Sequence, residues 1–144
     1  MRKFNSITIE LFEYPTEQRR LVEQALSHLF SNIDYSAEES RIESYYGPEI
    51  KRIEVTVKKQ QEITALLSNL LLSLPEAEKK QLAAEAKKRI DPEGAFHFRI
   101  SKQHLVDGQV RILDSGDIVK IKVRAATYPA SPEKALRIIE EVFK

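Results

Sequence analysis

An α+β fold, with a mainly antiparallel sheet and helices packed on one of its faces, follows from three features of the sequence. Several short runs alternate apolar and polar residues, which is the period of a half-buried strand. Other stretches repeat apolar residues three and four positions apart, the period of an amphipathic helix. The two kinds of segment do not alternate strictly, as a parallel α/β sheet would require. At 144 residues the chain is expected to form a single domain over 1–144 with one hydrophobic core.

The first strand is predicted over residues 5–13, where Ile7, Ile9 and Leu11 lie on one side and Thr8, Glu10 and Phe12 on the other. Pro15 stops it. Thr16 is an N-cap candidate for a helix to about Phe30 with Leu21, Val22, Ala25, Leu26 and Leu29 as its apolar stripe. The polar segment NIDYSAEES reads as a loop leading to a short strand near Arg41 to Tyr46. Gly47-Pro48 is turn chemistry, and Ile53, Val55 and Val57 alternate with Arg52, Glu54 and Lys58 to complete a hairpin.

Gln60 to Leu72 becomes helical, with Ile63, Leu66, Leu67, Leu70 and Leu71 forming a broad apolar face. Ser73, Pro75 and Glu76 have the spacing of a capping box with proline near the first turn, which predicts a second helix to about Ile90. After the turn Asp91-Pro92-Glu93-Gly94, Phe96, Phe98 and Ile100 alternate with His97, Arg99 and Ser101 as a strand. KQHLVDG is turn-like, Val110 and Ile112 begin another extended segment, and Ser115-Gly116 turns the chain. Val119, Ile121 and Val123 against Lys120, Lys122 and Arg124 make the clearest strand. Ser131-Pro132-Glu133 then opens a final helix carrying Ala135, Ile138, Ile139 and Val142.

Composition excludes several functional classes. Hydrophobic residues at 42% and charged residues at 31%, with four Gly and six Pro, are globular values. The absence of cysteine removes disulfides, thiolate nucleophiles and thiolate metal sites, and makes the cytoplasm the expected location. MRKFNSITIELFEY does not resemble a secretory signal. The longest apolar stretch, Leu66 to Leu74, is broken by Ser68, Asn69 and Ser73, short of the roughly 20 residues of a membrane span. Phosphate-binding glycine loops, a nucleophile elbow and a paired-histidine zinc helix are all missing. His28, His97 and His104 have no ligand partner at i+2, i+3 or i+4, so no metal or other cofactor is expected. Asp114 and Asp117 flank Ser115-Gly116, where a turn is the ordinary reading and a cation or acid–base pair the functional one. The chain is expected not to be an enzyme.

The net charge of +1 gives no general attraction to nucleic acid, so any such attraction must come from how charge is arranged. Alternation places Thr8, Glu10, Arg41, Glu43, Arg52, Glu54, Lys58, His97, Arg99, Lys120, Lys122 and Arg124 opposite the apolar residues. That face carries a net charge of about +4. Two readings of it stand. Cations on neighbouring strands can neutralise phosphates, with Tyr45, Tyr46 and Phe12 offering stacking surfaces. Outward Lys and Arg also keep a sheet soluble and guard its edges.

The phrases ITIELFEYPTEQRRLVEQAL, ESYYGPEIKRIEV, GAFHFRISKQHLVDG and IKVRAATYPASPEKALRIIEEVF cover nearly the whole chain and resemble a family of small archaeal proteins described as predicted exosome-associated RNA-binding proteins. Members of that family are similar in fold to the large-subunit ribosomal protein that holds 5S ribosomal RNA. The resemblance implies RNA binding in the archaeal cytoplasm beside the exosome or ribosome-related proteins. By position it carries over Tyr46, Gly47 and Pro48 in the hairpin and Arg99, Lys102 and Gln103 at a strand end.

The combined expectation is a non-catalytic RNA-binding protein that uses Arg52, Lys58, Arg99, Lys102, Gln103, Lys120, Lys122 and Arg124 for phosphate or base edges and Tyr45 or Tyr46 for stacking. The main alternative is a protein-interaction or assembly module, such as a homodimer, docking through a sheet edge or Leu66 to Leu74. A small metal-dependent hydrolase using Asp114, Asp117, Glu43 or His97 is the third reading.

Overall fold

The computed structural model describes residues 3–44 and 47–144. Strand β1 (Phe4–Glu13) leads through a turn to helix α1 (Arg19–Leu29), followed by the hairpin of β2 (Ala37–Ser44) and β3 (Gly47–Val57). Helices α2 (Gln60–Ser73), α3 (Glu76–Ala84) and the short α4 (Ala86–Arg89) come next. Strand β4 (Ala95–Ser101), one-turn helix α5 (Lys102–Val106), strand β5 (Ile118–Ala125) and helix α6 (Pro132–Phe143) complete the chain.

The strands form one sheet in the order β2-β3-β1-β5-β4, and every neighbouring pair is antiparallel. β1 lies at the centre. Its alternation buries Ile7, Ile9 and Leu11 completely, beside Ile53, Val55 and Val57 of β3 and Val119, Ile121 and Val123 of β5. The helices cover this side with Val22, Leu26, Leu29, Ile63, Leu66, Leu70 and Ile139. Each such aliphatic side chain contributes roughly 1.5–3 kcal/mol on burial, so the two-residue period decides which face the helices take. The opposite face is open.

Local departures from the sequence expectations have identifiable causes. α1 starts at Arg19 rather than after Thr16, because the Glu17 carboxylate accepts from the Tyr14 backbone N–H (2.9 Å) and holds residues 14–17 in a turn. Arg19 then reaches back to the buried Glu13 (2.7 Å) and also to Glu39. Much of the polar segment expected as a loop is strand, since β2 begins at Ala37 and pairs with β3 from Val55 onward. Ser73 ends α2 instead of capping α3, whose N-cap is Pro75. The helix expected to reach Ile90 breaks at Glu85, and Ile90 forms a β-bridge to Phe96. The turn-like KQHLVDG contains α5, capped by the Ser101 hydroxyl accepting from the His104 N–H. Ile112 contributes only a bridge to Ile100. Of the Leu66 to Leu74 stretch, Leu66, Leu67, Leu70 and Leu74 are core and Leu72 is 84% exposed.

Phe96 and Phe98 project from β4 onto Phe143 of α6, with ring centroids 5.2 and 6.0 Å from it. This aromatic trio fastens the last helix to the basic end of the sheet. Phe98→Ala is therefore expected to lower stability by about 3–5 kcal/mol. Urea unfolding checks this, as a lower midpoint with an unchanged slope.

Candidate nucleic-acid interface

The open face is built from the other phase of the same strands, so its layout follows from the register. One row crosses all five strands and reads Glu38, Glu54, Glu10, Lys120, Arg99 from β2 to β4. The next reads Thr56, Thr8, Lys122, His97 across β3, β1, β5 and β4. Adjacent strands are about 4.8 Å apart, so these side chains stand shoulder to shoulder. Acidic residues gather toward β2 and basic ones toward β5 and β4.

Ion pairing sharpens that division. The Arg52 guanidinium is held between Glu10, at 2.6 Å, and Glu54, and the adjacent carboxylates raise its pKa with the Glu10 hydrogen bond dominant. Its charge is thus internally compensated. Lys120 reaches Glu10 only at 3.8 Å and is 52% exposed, and Arg124 reaches Glu93 only at 3.8 Å. Arg99 donates to the Asp114 backbone carbonyl at 2.9 Å, which leaves its charge uncompensated. Among the described residues Lys122 forms no ion pair. Thr8, Glu10, Arg52, Glu54, His97, Arg99, Lys120 and Lys122 together line a shallow concavity of about 490 Å³.

His97 belongs to a small network at the rim. Its Nε2 lies 2.8 Å from Asp91 Oδ2, while Asp91 Oδ1 accepts from the backbone N–H groups of Glu93 and Ala95. Gly94 takes a positive φ of 83° inside this turn, a conformation glycine adopts without steric cost. Burial works to raise the Asp91 carboxyl, and the hydrogen bonds from His97, Ala95 and Glu93 outweigh it, leaving the pKa below the usual aspartate range.

The structure sorts the remaining expected residues. Lys102 is not a surface cation: its side chain is 1% exposed, and Nζ donates to the Phe12 carbonyl (2.6 Å) and contacts Glu17 (2.6 Å) and Asp117 (2.9 Å), with the Tyr14 ring below it. It joins the end of β1 to the start of β5 instead of meeting phosphate. Gln103 is exposed and donates to the same Asp117 at 2.7 Å. Asp117 is thereby engaged by Lys102 and Gln103, and Asp114 by Arg89 at 3.2 Å. Arg41 has the phase of Glu39 and Lys51, opposite to the open face, and pairs with Glu49 at 3.6 Å. Lys58 keeps the open-face phase but lies just past the end of β3 beside Tyr35. Tyr45 and Tyr46, and the side chains of Glu43 and Pro48, lie outside the described residues.

One basic group escaped the sequence reading. Lys88 and Arg89 of α4 line a second concavity, of about 280 Å³, with Ile90, Asp91, His97, Phe98 and Arg99. The signal was present as the AKKR run, but only the Ile90–Phe96 bridge sets it beside β4.

A family model described as RNA binding matches residues 6–125, which contain every strand of this face except the first two residues of β1. The chain belongs to that family. It is similar to the RNA-binding protein PAB1135 of Pyrococcus abyssi, with 27% identity over 95% of this chain and 92% of that one. Among solved structures, protein AF2318 of the archaeon A. fulgidus superposes with a TM-score of 0.86 at 30% identity, covering 97% of this chain and 99% of that one. Mth689, described as a DUF54 protein of Methanothermobacter thermautotrophicus, gives 0.83 at 21% identity over 99% of both chains. The α+β architecture is thus shared by these archaeal proteins.

Two predictions follow from the contacts beneath and beside the face. Lys102→Ala leaves Glu17 and Asp117 without their cation and is expected to cost about 2–4 kcal/mol, read by urea unfolding at neutral pH. Asp91 has a depressed folded pKa, so its contribution is present above the unfolded value and lost as pH falls through the folded one. The acid limb of the stability curve is accordingly expected to flatten in Asp91→Asn, measured by thermal melts across the acidic range.

Proposed function

We propose that this protein binds RNA through the β5 and β4 half of its open face, gripping phosphates with Arg99, Lys120, Lys122 and Arg124 and cutting no bond itself. The observation that carries the reading is the uncompensated charge of Lys122 and Arg99, set in a concavity where Lys120 is only loosely paired and Arg52 is already neutralised. A merely solvated face would have no reason to segregate its charge. Paired cations gain little from a phosphate, because they must first give up a carboxylate. Free ones release counterions from the nucleic acid on contact. The relative from Pyrococcus abyssi is named an RNA-binding protein, in keeping with this assignment.

Arg52 and Lys58 are peripheral in the proposal, the first compensated and the second at the far end of β3. An association with the exosome or with ribosome-related proteins and kinship with the 5S-rRNA-binding ribosomal fold belong to the proposal through the sequence resemblance alone, and a cytoplasmic location through that resemblance and the absence of cysteine.

Reversal of Lys120, Lys122 and Arg124 to Glu is expected to abolish binding to a structured RNA in fluorescence anisotropy. The unmodified protein should lose affinity with salt at a log–log slope on the order of −3, reflecting about four phosphate contacts. Equal binding by both proteins at low salt defeats the assignment. Glu54→Gln is expected to strengthen binding by about twofold to tenfold, since it frees part of the Arg52 charge. A weakened Glu54→Gln protein that is still folded by circular dichroism would contradict the masking of Arg52.

A further inference from the structure

We propose that the ligand of this face is double-stranded RNA, straddled across its shallow groove by strand β4, an inference that rests on the RNA-binding reading above. The two basic concavities share the same wall. His97, Phe98 and Arg99 line both, so β4 forms a ridge with Lys120 and Lys122 on one flank and Lys88 on the other. Lys122 pairs in register with His97, and the Ile90 segment bridges β4 at Phe96 on its far edge. Two strand spacings therefore separate the β5 cations from the segment that follows Lys88, which is about 10 Å.

A duplex presents two phosphate ridges with a groove between them, the complement of a ridge between two basic floors. Width, depth and hydroxyls together decide among duplexes. A B-form minor groove is only about 6 Å wide and its roughly 12 Å major groove is deep, whereas A-form RNA offers a wide, shallow minor groove lined by 2′-hydroxyls. His97 on the crest can offer its second ring nitrogen to those hydroxyls, its Nε2 being held by Asp91. Single strands are held differently, by stacking bases on aromatic side chains along a basic groove. The open-face positions of β5 and β4 offer little for that purpose: Ile118, Lys120, Lys122 and Arg124 on one, Ala95, His97, Arg99 and Ser101 on the other. His97 has the only ring among them, and its Nε2 is held by Asp91.

The decisive experiment is fluorescence anisotropy with three probes of about 20 nucleotides per strand: an RNA duplex, a uridine single strand and a DNA duplex of the same sequence as the RNA. The RNA duplex is expected to bind about tenfold tighter than either other probe. Lys88→Glu should weaken the RNA duplex about tenfold and leave the single strand within about twofold, while Lys122→Glu weakens both. Single-strand binding as tight as duplex binding, or a Lys88→Glu effect that is absent or equal on both, overturns the straddled duplex and leaves RNA binding by the face intact. Equal affinity for the DNA duplex overturns recognition of the A-form groove. Failure of every probe to bind removes the RNA-binding reading and this inference together.

Discussion

The central strand β1 is hydrogen-bonded to β3 on one side and β5 on the other, and this double pairing constrains the rest of the molecule. Its period of two commits Ile7, Ile9 and Leu11 to the core. A slip of one residue would bring Thr8 and Glu10 under the helices at the cost of burying a carboxylate without a partner. The same registration holds Glu10 between Glu54 and Lys120, at the boundary between the acidic and basic halves of the open face. One set of backbone bonds thus fixes both the core and the charge map.

Two buried ionic nodes secure one end of that sheet, where β1 finishes and β5 begins. Glu13 takes Arg19 from α1, tying the first helix to β1, and Lys102 ties the turn after β1 to the residue before β5. A lysine so fully withdrawn from water is tolerated because a carbonyl and two carboxylates replace its hydration. The position of Lys120 and Lys122 relative to β1 depends in part on this cation. Lys102 thus serves the fold and not the open surface.

The open face is an electrostatic device with an unequal distribution of free charge. Arg52 spends its guanidinium on Glu10 and Glu54, whereas Arg99 and Lys122 have no such compensation. The effective attraction is therefore smaller than a residue count implies, and it is concentrated on two strands. The β-bridge of Ile90 to Phe96 carries the basic surface around the edge of β4 and at the same time covers part of an edge that would otherwise be open to strand addition. Charge and edge protection are met by one segment.

By itself the sequence determined the class of fold, most elements and most of the core, Phe4, Leu82, Leu105 and Phe143 excepted, because burial of alternating or helically spaced side chains is a local signal readable in Ile7 to Leu11 or Val119 to Val123. It also determined that Lys120, Lys122 and Arg124 share one side of a strand. It did not disclose the break at Glu85 or the start of α1 at Arg19, the latter set by the Glu17 carboxylate closing on the Tyr14 backbone N–H. Lys102 illustrates the limit most clearly, since a lysine at a strand end looks exposed until Glu17, 85 residues before it, and Asp117, beyond the α5 turn, are brought around it. Which cations stand free, which are masked and that Lys88 joins them were decided by tertiary structure alone. Strand order and register set those distances, and Coulomb interactions depend on distance in space, not on separation along the chain.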